Sequence, residues 1–272
     1  MAAAKPLLRI APHTALALLF SCSALPAFAG DEIVTDRPDF VESSDVVGRG
    51  RFQIETGFSS ERQDGSGLKT RTRSTPTLLR LGVSDALELR IETDGAMRSR
   101  TQDTTADTTT TTHGFADTSL GLKWRMQEGD EETGAPGMAW LLHADLASGS
   151  RDFRGQGVRP SLRFVAEWDL PHDFSVGVMP GVIADKTEEG KRFAAGIFAV
   201  TLGKGWGPAW HSFVEVAGQQ LAARHNGGKV VSFDFGASYL VTDSLQLDLA
   251  ASRGLTRETA DFQWGAGVSI RF

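Results

Sequence analysis

From residue 50 to the end of the chain, apolar and polar residues take alternate positions, in runs of roughly the ten residues that a membrane-crossing strand needs. The last run is the clearest. Phe262, Trp264, Ala266, Val268, Ile270 and Phe272 fall on one parity, and Gln263, Gly265, Gly267, Ser269 and Arg271 on the other. A period of two with one apolar face is the mark of a strand standing between two different solvents. The same pattern places Phe52, Ile54 and Phe58 on one face of a strand over 50–59. Leu79 and Leu81 belong to a strand over 77–83, and Leu87, Leu89 and Ile91 to a strand over 87–91. Ser84 and Asp85 join the last two as a hairpin. Further strands are expected near 116–127, 137–148, 159–170, 174–184, 192–203, 209–219, 229–241 and 245–253, which with the terminal run makes twelve. The run over 192–203 is apolar on both parities, so its facing stays open. The stretch TDGAMRSRTQDTTADTTTTTHG, with no apolar periodicity, reads as a long solvated loop.

The apolar face could meet a protein core or lipid. Two features favour lipid, and the charge of the opposite parity agrees with it without deciding. Connections after the second, sixth and tenth strands are tight, whereas those after odd-numbered strands are longer and more polar, as in outer-membrane barrels. Phe52, Trp124, Trp140, Trp168, Phe174, Trp210, Tyr239 and Phe272 sit on the apolar parity near one end, where an aromatic girdle belongs. The opposite parity is charged, carrying Glu55, Arg80, Glu88, Arg90, Glu92, Lys123, Arg125, Asp145, Arg163, Glu167, Glu215, Asp234, Asp248 and Arg271. With no inward apolar set left to fill a centre, a soluble β-sandwich or lipocalin-like barrel fits less well. The expected fold is all-β, a transmembrane antiparallel β-barrel of the bacterial outer membrane with about 12 strands.

Residues 1–29 read as a secretory signal peptide. Lys5 and Arg9 precede an apolar stretch, and Ala27-Phe28-Ala29 supplies the small residues of a cleavage site. A lipoprotein signal ending at Cys22 is the weaker alternative, because Phe20 and Ser21 make a poor lipobox. Cleavage removes Lys5 and Arg9 and takes the formal charge from −6 to −8. An acidic chain of this kind is a poor nucleic-acid binder. The only cysteine, Cys22, leaves with the signal, so neither disulfides nor cysteine-bound metal hold the mature fold. The expected organisation is then a signal peptide (1–29), a periplasmic N-terminal segment (30–48) and an outer-membrane barrel (49–272), in the outer membrane of a Gram-negative cell.

TDRPDFVESSDVVGRGRFQIETGF, followed by TRSTPTLLRLGVSDALELRIETDG, resembles the opening of the family of outer-membrane transporters named for the meta-pathway of phenol degradation. The resemblance is close over 35–95 and looser, strand by strand, to Phe272. It implies a barrel that admits small aromatic or other hydrophobic compounds. It also implies that Phe272 serves as the signal read by the barrel-assembly machinery. The single Tyr departs from the Tyr-rich girdles of typical barrels, with Trp and Phe in its place.

The inward charges are the candidate channel lining: Glu55, Arg80, Glu88, Arg90, Glu92, Lys123, Arg125, Arg163, Glu167, Glu215, Asp234, Asp248 and Arg271. In a narrow barrel such groups either pair into a network that fills the interior or form a wall that sorts solutes by charge. In the N-terminal segment, Asp36, Arg37, Pro38, Asp39 and Phe40 are too polar for lipid. They form either a lead-in to the first strand or a partial plug in which Arg37 and Asp39 pair with lumenal charges. Catalysis finds little support: His143 and His211 have Ser161, Ser212, Asp145 and Glu215 in their neighbourhood but no recognisable Ser-His-acid spacing, and no metal-ligand cluster or cofactor motif is present. Two functions follow, a passive transporter of small solutes or a structural, surface-interacting barrel with an occluded lumen.

Overall fold

The computed structural model describes residues 32–187 and 189–272; the expected signal peptide and its cleavage site lie outside them. Fifteen strands form one antiparallel sheet. They are β1 (Phe52–Gly65), β2 (Leu68–Ser74), β3 (Thr77–Gly82), β4 (Leu87–Thr93), β5 (Ala96–Asp103), β6 (Thr108–Phe115) and β7 (Thr118–Gln127). After them come β8 (Gly137–Leu146), β9 (Arg159–Leu170), β10 (Phe174–Lys186), β11 (Arg192–Gly205), β12 (Trp210–Leu221), β13 (Lys229–Thr242), β14 (Leu245–Gly254) and β15 (Phe262–Arg271). The sheet closes where β15 pairs with β1, from Gln53 opposite Arg271 to Arg62 opposite Phe262. β2 with β3, β4 with β5, and β6 with β7 are each one wall strand interrupted once, so the closed barrel has twelve strands. Closure leaves no sheet edge in the wall, which a chain surrounded by hydrocarbon requires.

The alternation sets the facing. Leu89, Leu120, Leu142, Val200, Val216, Leu247 and their neighbours stand exposed on the outside, while Glu55, Arg80, Glu88 and Lys123 are fully buried inside. At the lower end, which holds residues 83–86, 171–173 and 243–244, aromatic pairs belt the barrel. Phe52 stacks on Phe272, Trp140 lies 4.9 Å from Phe164, and Trp210 lies 4.7 Å from Tyr239.

Three expectations change. The Thr-rich stretch is not a loop: β5 and β6 form a hairpin through it, with Arg100 opposite Thr111 and Gln102 opposite Thr109. Together with β2 and the upper part of β1 they make a ribbon that rises above the barrel. The strand breaks at Thr75–Pro76, Asp94–Gly95 and Ala116–Asp117 share one level, linked by Thr75 N–H to the Asp94 carbonyl and Ala116 N–H to the Gly95 carbonyl. Second, the first upper connection is therefore only Ser66 and Gly67, both with positive φ as a tight hairpin requires, and the length rule for odd-numbered strands does not hold there. The lower connection at 128–136 is long instead. Third, the interior does hold an apolar set. Ala139, Leu141, Val165, Met179, Ala199 and Ala217 are buried in a cluster on the β8–β12 side. This settles β11: Phe198, Val200 and Leu202 face out, and Ile197 and Ala199 face in.

If Ala266 faces lipid between Trp264 and Val268, Ala266→Arg places a charge in mid-bilayer at a cost of about 2–4 kcal/mol. The expected outcome is loss of the compact unboiled band on a semi-native gel and loss of protein from the membrane fraction. A variant that folds and fractionates like the parent contradicts the facing.

Candidate functional site: a lumen filled by the N-terminal segment

Of the segment expected to lie in the periplasm, residues 33–47 lie inside the barrel instead. Ile33, Asp36, Val41, Glu42, Ser43, Ser44 and Val47 are all buried. The stretch has no helix or strand of its own, so its main-chain N–H groups need partners from the wall. Four inward glutamates supply them. Glu55 on β1 accepts from Asp36 and Arg37, at 3.0 and 3.1 Å. Glu215 on β12 accepts from Phe40 and Val41, at 2.9 and 2.7 Å. Glu167 on β9 accepts from Ser44, and Glu88 on β4 from Val47 at 2.9 Å.

Asp36 is the centre of the network. Its carboxylate accepts from Lys123 Nζ on β7 at 2.8 Å and from Arg90 Nη1 on β4 at 2.5 Å, and lies 3.6 Å from Arg80 Nη1 on β3. Arg80 is fully buried. It bridges Glu88 at 2.9 Å and Glu55 at 3.0 Å and donates to the Val34 and Asp45 carbonyls of the segment. Lys123 also donates to the Ser43 carbonyl at 2.7 Å. Glu42 pairs with Arg90 at 2.6 Å and Arg163 at 2.5 Å. On the far wall Arg37 makes a two-point contact with Asp248 of β14, through Nε at 3.1 Å and Nη2 at 2.8 Å. Gly267 makes room for it, since a Cβ there would stand 2.5 Å from the Arg37 guanidinium, and a small side chain at Gly267 is therefore not neutral.

The segment's two sides differ. Most of its ion pairs reach β1–β7, with Arg163 of β9 and Asp248 of β14 as exceptions, whereas Val41 belongs to the apolar cluster of β8–β12 and Phe40 packs against it. Arg163 lies over the Phe40 ring at 5.6 Å from its centroid. Asp39, expected to pair with a lumenal charge, makes no ion pair among the described residues. Burial, with the Glu215 carboxylate next to it, pushes its carboxyl well above the usual carboxylate range. Pro38 and Asp39 form the tip, between a cavity of about 720 Å³ reaching the lower end and two upper cavities of about 200 and 210 Å³.

Of the remaining predicted lining residues, Arg125 pairs with Asp45 at 3.1 Å and with Glu128. Asp234 lies opposite Glu215 in register and accepts from Ser232. Glu92 lines one upper cavity, and Arg271 holds the Glu32 and Asp243 carbonyls at the lower rim. His143 is buried with neither ring nitrogen hydrogen-bonded, although Ser161 is its register neighbour, and the Ser212 hydroxyl is taken by the Trp206 indole.

These features define a transmembrane β-barrel of the outer-membrane class whose interior is filled by its own N-terminal segment. The chain belongs to the family described as "Putative MetA-pathway of phenol degradation", which it matches over residues 35–272. No curated protein sequence matches it. Among solved structures it is similar to an outer membrane channel from Pseudomonas putida F1, with 13% identity and a TM-score of 0.61 over 85% of this chain and 98% of that one. It is also similar to the transport unit of the autotransporter AIDA-I from Escherichia coli, with 11% identity and a TM-score of 0.50 over 82% and 89%.

Asp36→Ala would leave three buried cations without their shared carboxylate, a loss of about 3–5 kcal/mol. The expected outcome is a lower temperature at which the semi-native gel band converts to the unfolded one. An unchanged conversion temperature would show that Asp36 does not organise the lumen.

Proposed function

We propose that the protein is a passive outer-membrane channel for small compounds, closed at rest by residues 33–47 and opened by displacement of the Arg37–Val41 tip. The observation that carries this is the position of the tip, whose Arg37, Pro38 and Asp39 line the lower cavity and both upper ones. Its attachments are Arg37 on Asp248, main-chain bonds of Arg37 to Glu55 and of Phe40 and Val41 to Glu215, Arg163 over the Phe40 ring, and the apolar contact of Phe40 and Val41. Displacing it would leave a path with apolar Leu141, Val165 and Met179 on one wall and charged residues on the other. Such a lining suits a small amphiphilic aromatic solute, and the family description points to phenol degradation.

In this reading Glu55, Arg80, Glu88, Arg90, Lys123 and Glu167 anchor the resting segment, while Glu92, Arg163, Glu215, Asp234 and Asp248 meet the solute. The tight-turn end faces the periplasm. The protein reaches the outer membrane of a Gram-negative cell after export and cleavage of residues 1–29, with Phe272 read by the barrel-assembly machinery. The filled lumen also favours a second reading, a permanently closed barrel that acts through its surface.

The test is conductance in planar bilayers and liposome swelling with charged and neutral aromatic solutes. The proteins compared are the parent, Asp248→Asn, Gly267→Ala and a variant with Asp36–Phe40 replaced by a Gly-Ser linker. The expected result is low conductance in the parent, a rise in the two latch variants and a larger rise in the linker variant, with the gel shift retained in the latch variants. Closed behaviour in all four, with folding intact, would overturn transport and leave the structural reading.

A further inference from the structure

The ribbon formed by upper β1, β2, β5 and β6 has an outward face continuous with the lipid-facing side of the barrel. The register aligns its side chains in rows. In one row Arg62 lies opposite Arg71 and Arg71 opposite Arg100, and on the other side Arg62 faces Phe262, itself opposite Arg253. In the row below, Arg73 lies opposite Arg98 and Arg98 opposite His113, and Ser60, opposite Arg73, faces Trp264. All six arginines are exposed, and among the described residues none of them forms an ion pair. Like charges directly opposite one another on neighbouring strands destabilise a sheet. Three arginines abreast in a chain of net negative charge therefore call for an anion from outside.

The level of these rows identifies that anion. Going up the outer wall, the apolar band ends at a row of threonines, Thr56, Thr77, Thr93 and Thr118, each opposite the next. Phe58, Phe115 and Trp264 come above it, with Phe58 and Trp264 rings 5.6 Å apart, and the arginines follow immediately. An aromatic belt marks the edge of the hydrocarbon, and the next layer outward is the headgroups. Two cavities join these layers. One of about 470 Å³ is lined by Arg73, Arg98 and His113 together with Phe58 and Phe115. One of about 320 Å³ is lined by Arg62, Arg71 and Arg73 together with Phe58, Phe262 and Trp264.

We propose that this face binds the phosphate groups of a phosphorylated glycolipid in the outer leaflet, with guanidinium forks on the phosphates and the aromatics against the upper acyl chains. Guanidinium matches phosphate oxygens two at a time, and side-by-side arginines match a headgroup bearing more than one phosphate. Free phosphate would not use the aromatic floor. An acidic soluble partner would have to approach from the side occupied by lipid.

The experiment compares binding of purified bis-phosphorylated lipid A, its dephosphorylated form and phosphatidylcholine to the folded, detergent-solubilised barrel. A quadruple variant, Arg71→Gln, Arg73→Gln, Arg98→Gln and Arg100→Gln, is measured beside it, with Arg151→Gln plus Arg154→Gln as a control. The expected result is preference for the phosphorylated lipid by about tenfold or more. That preference should be lost in the quadruple variant, kept in the control and little affected by excess inorganic phosphate, with the gel shift intact throughout. Equal binding of phosphorylated and dephosphorylated lipid, or equal binding by parent and quadruple variant, would overturn the proposal. So would full competition by inorganic phosphate, which would make this a simple anion site, or retention of an acidic protein with no lipid preference.

Discussion

Charge buried in a barrel must be matched by charge, and the Asp36 carboxylate is where that requirement is concentrated. Arg80, Arg90 and Lys123 come from three different wall strands and converge on it. Without it the interior would hold three cations in a narrow, water-poor space, and the wall glutamates could not serve all of them while also accepting main-chain N–H groups. The N-terminal segment thus belongs to the barrel's interior in the energetic sense, completing a network that the wall leaves unbalanced. Its lack of regular structure follows, because wall glutamates answer the backbone donors of Asp36, Arg37, Phe40, Val41, Ser44 and Val47, and the segment's own side chains answer those of Ser43 and Asp45.

The asymmetry of the interior gives this arrangement its consequence for function. On the β1–β7 side the segment is held by ion pairs that are costly to break singly. On the β8–β12 side the Arg37–Val41 tip is held by packing around Val41 and by two bonds to Glu215, contacts that can be lost and remade with less reorganisation, while Glu42 and Ser44 beyond it stay bound to Arg163 and Glu167 of β9. If the lumen opens as proposed, a segment fixed along one wall and more lightly held at its tip would peel rather than leave.

Much of the barrel was legible in the sequence because lipid and lumen impose opposite demands on alternate residues. The facing of Leu89, Trp124 or Phe235 needed nothing beyond parity, and the inward placement of Arg80, Glu88 and Lys123 followed from the same rule. That Arg37 would pair with a lumenal charge was one of the two readings of its segment, but Asp36 as the shared partner of Arg80, Arg90 and Lys123 was not legible, since it lies far from them in the chain and no periodicity joins them. The apolar interior patch was also missed, although Ile197 and Ala199, on a strand apolar on both parities, carried its signal. β2 and β5 escaped because their alternation is arginine against threonine or serine, as in Lys69-Thr70-Arg71-Thr72-Arg73, which a search for apolar periodicity cannot see.

The aligned breaks at Thr75–Pro76, Asp94–Gly95 and Ala116–Asp117 have a mechanical meaning. Below them every strand is bound by closure, which fixes tilt and stagger together once the strand number is set. Above them the ribbon is an open sheet, with β6 paired on one side only, and is free to take the stronger twist of unclosed strands. The breaks let the two geometries meet without strain passing from one to the other. The ribbon can then lengthen, shorten or change its surface through evolution while the shear of the barrel beneath stays as it is.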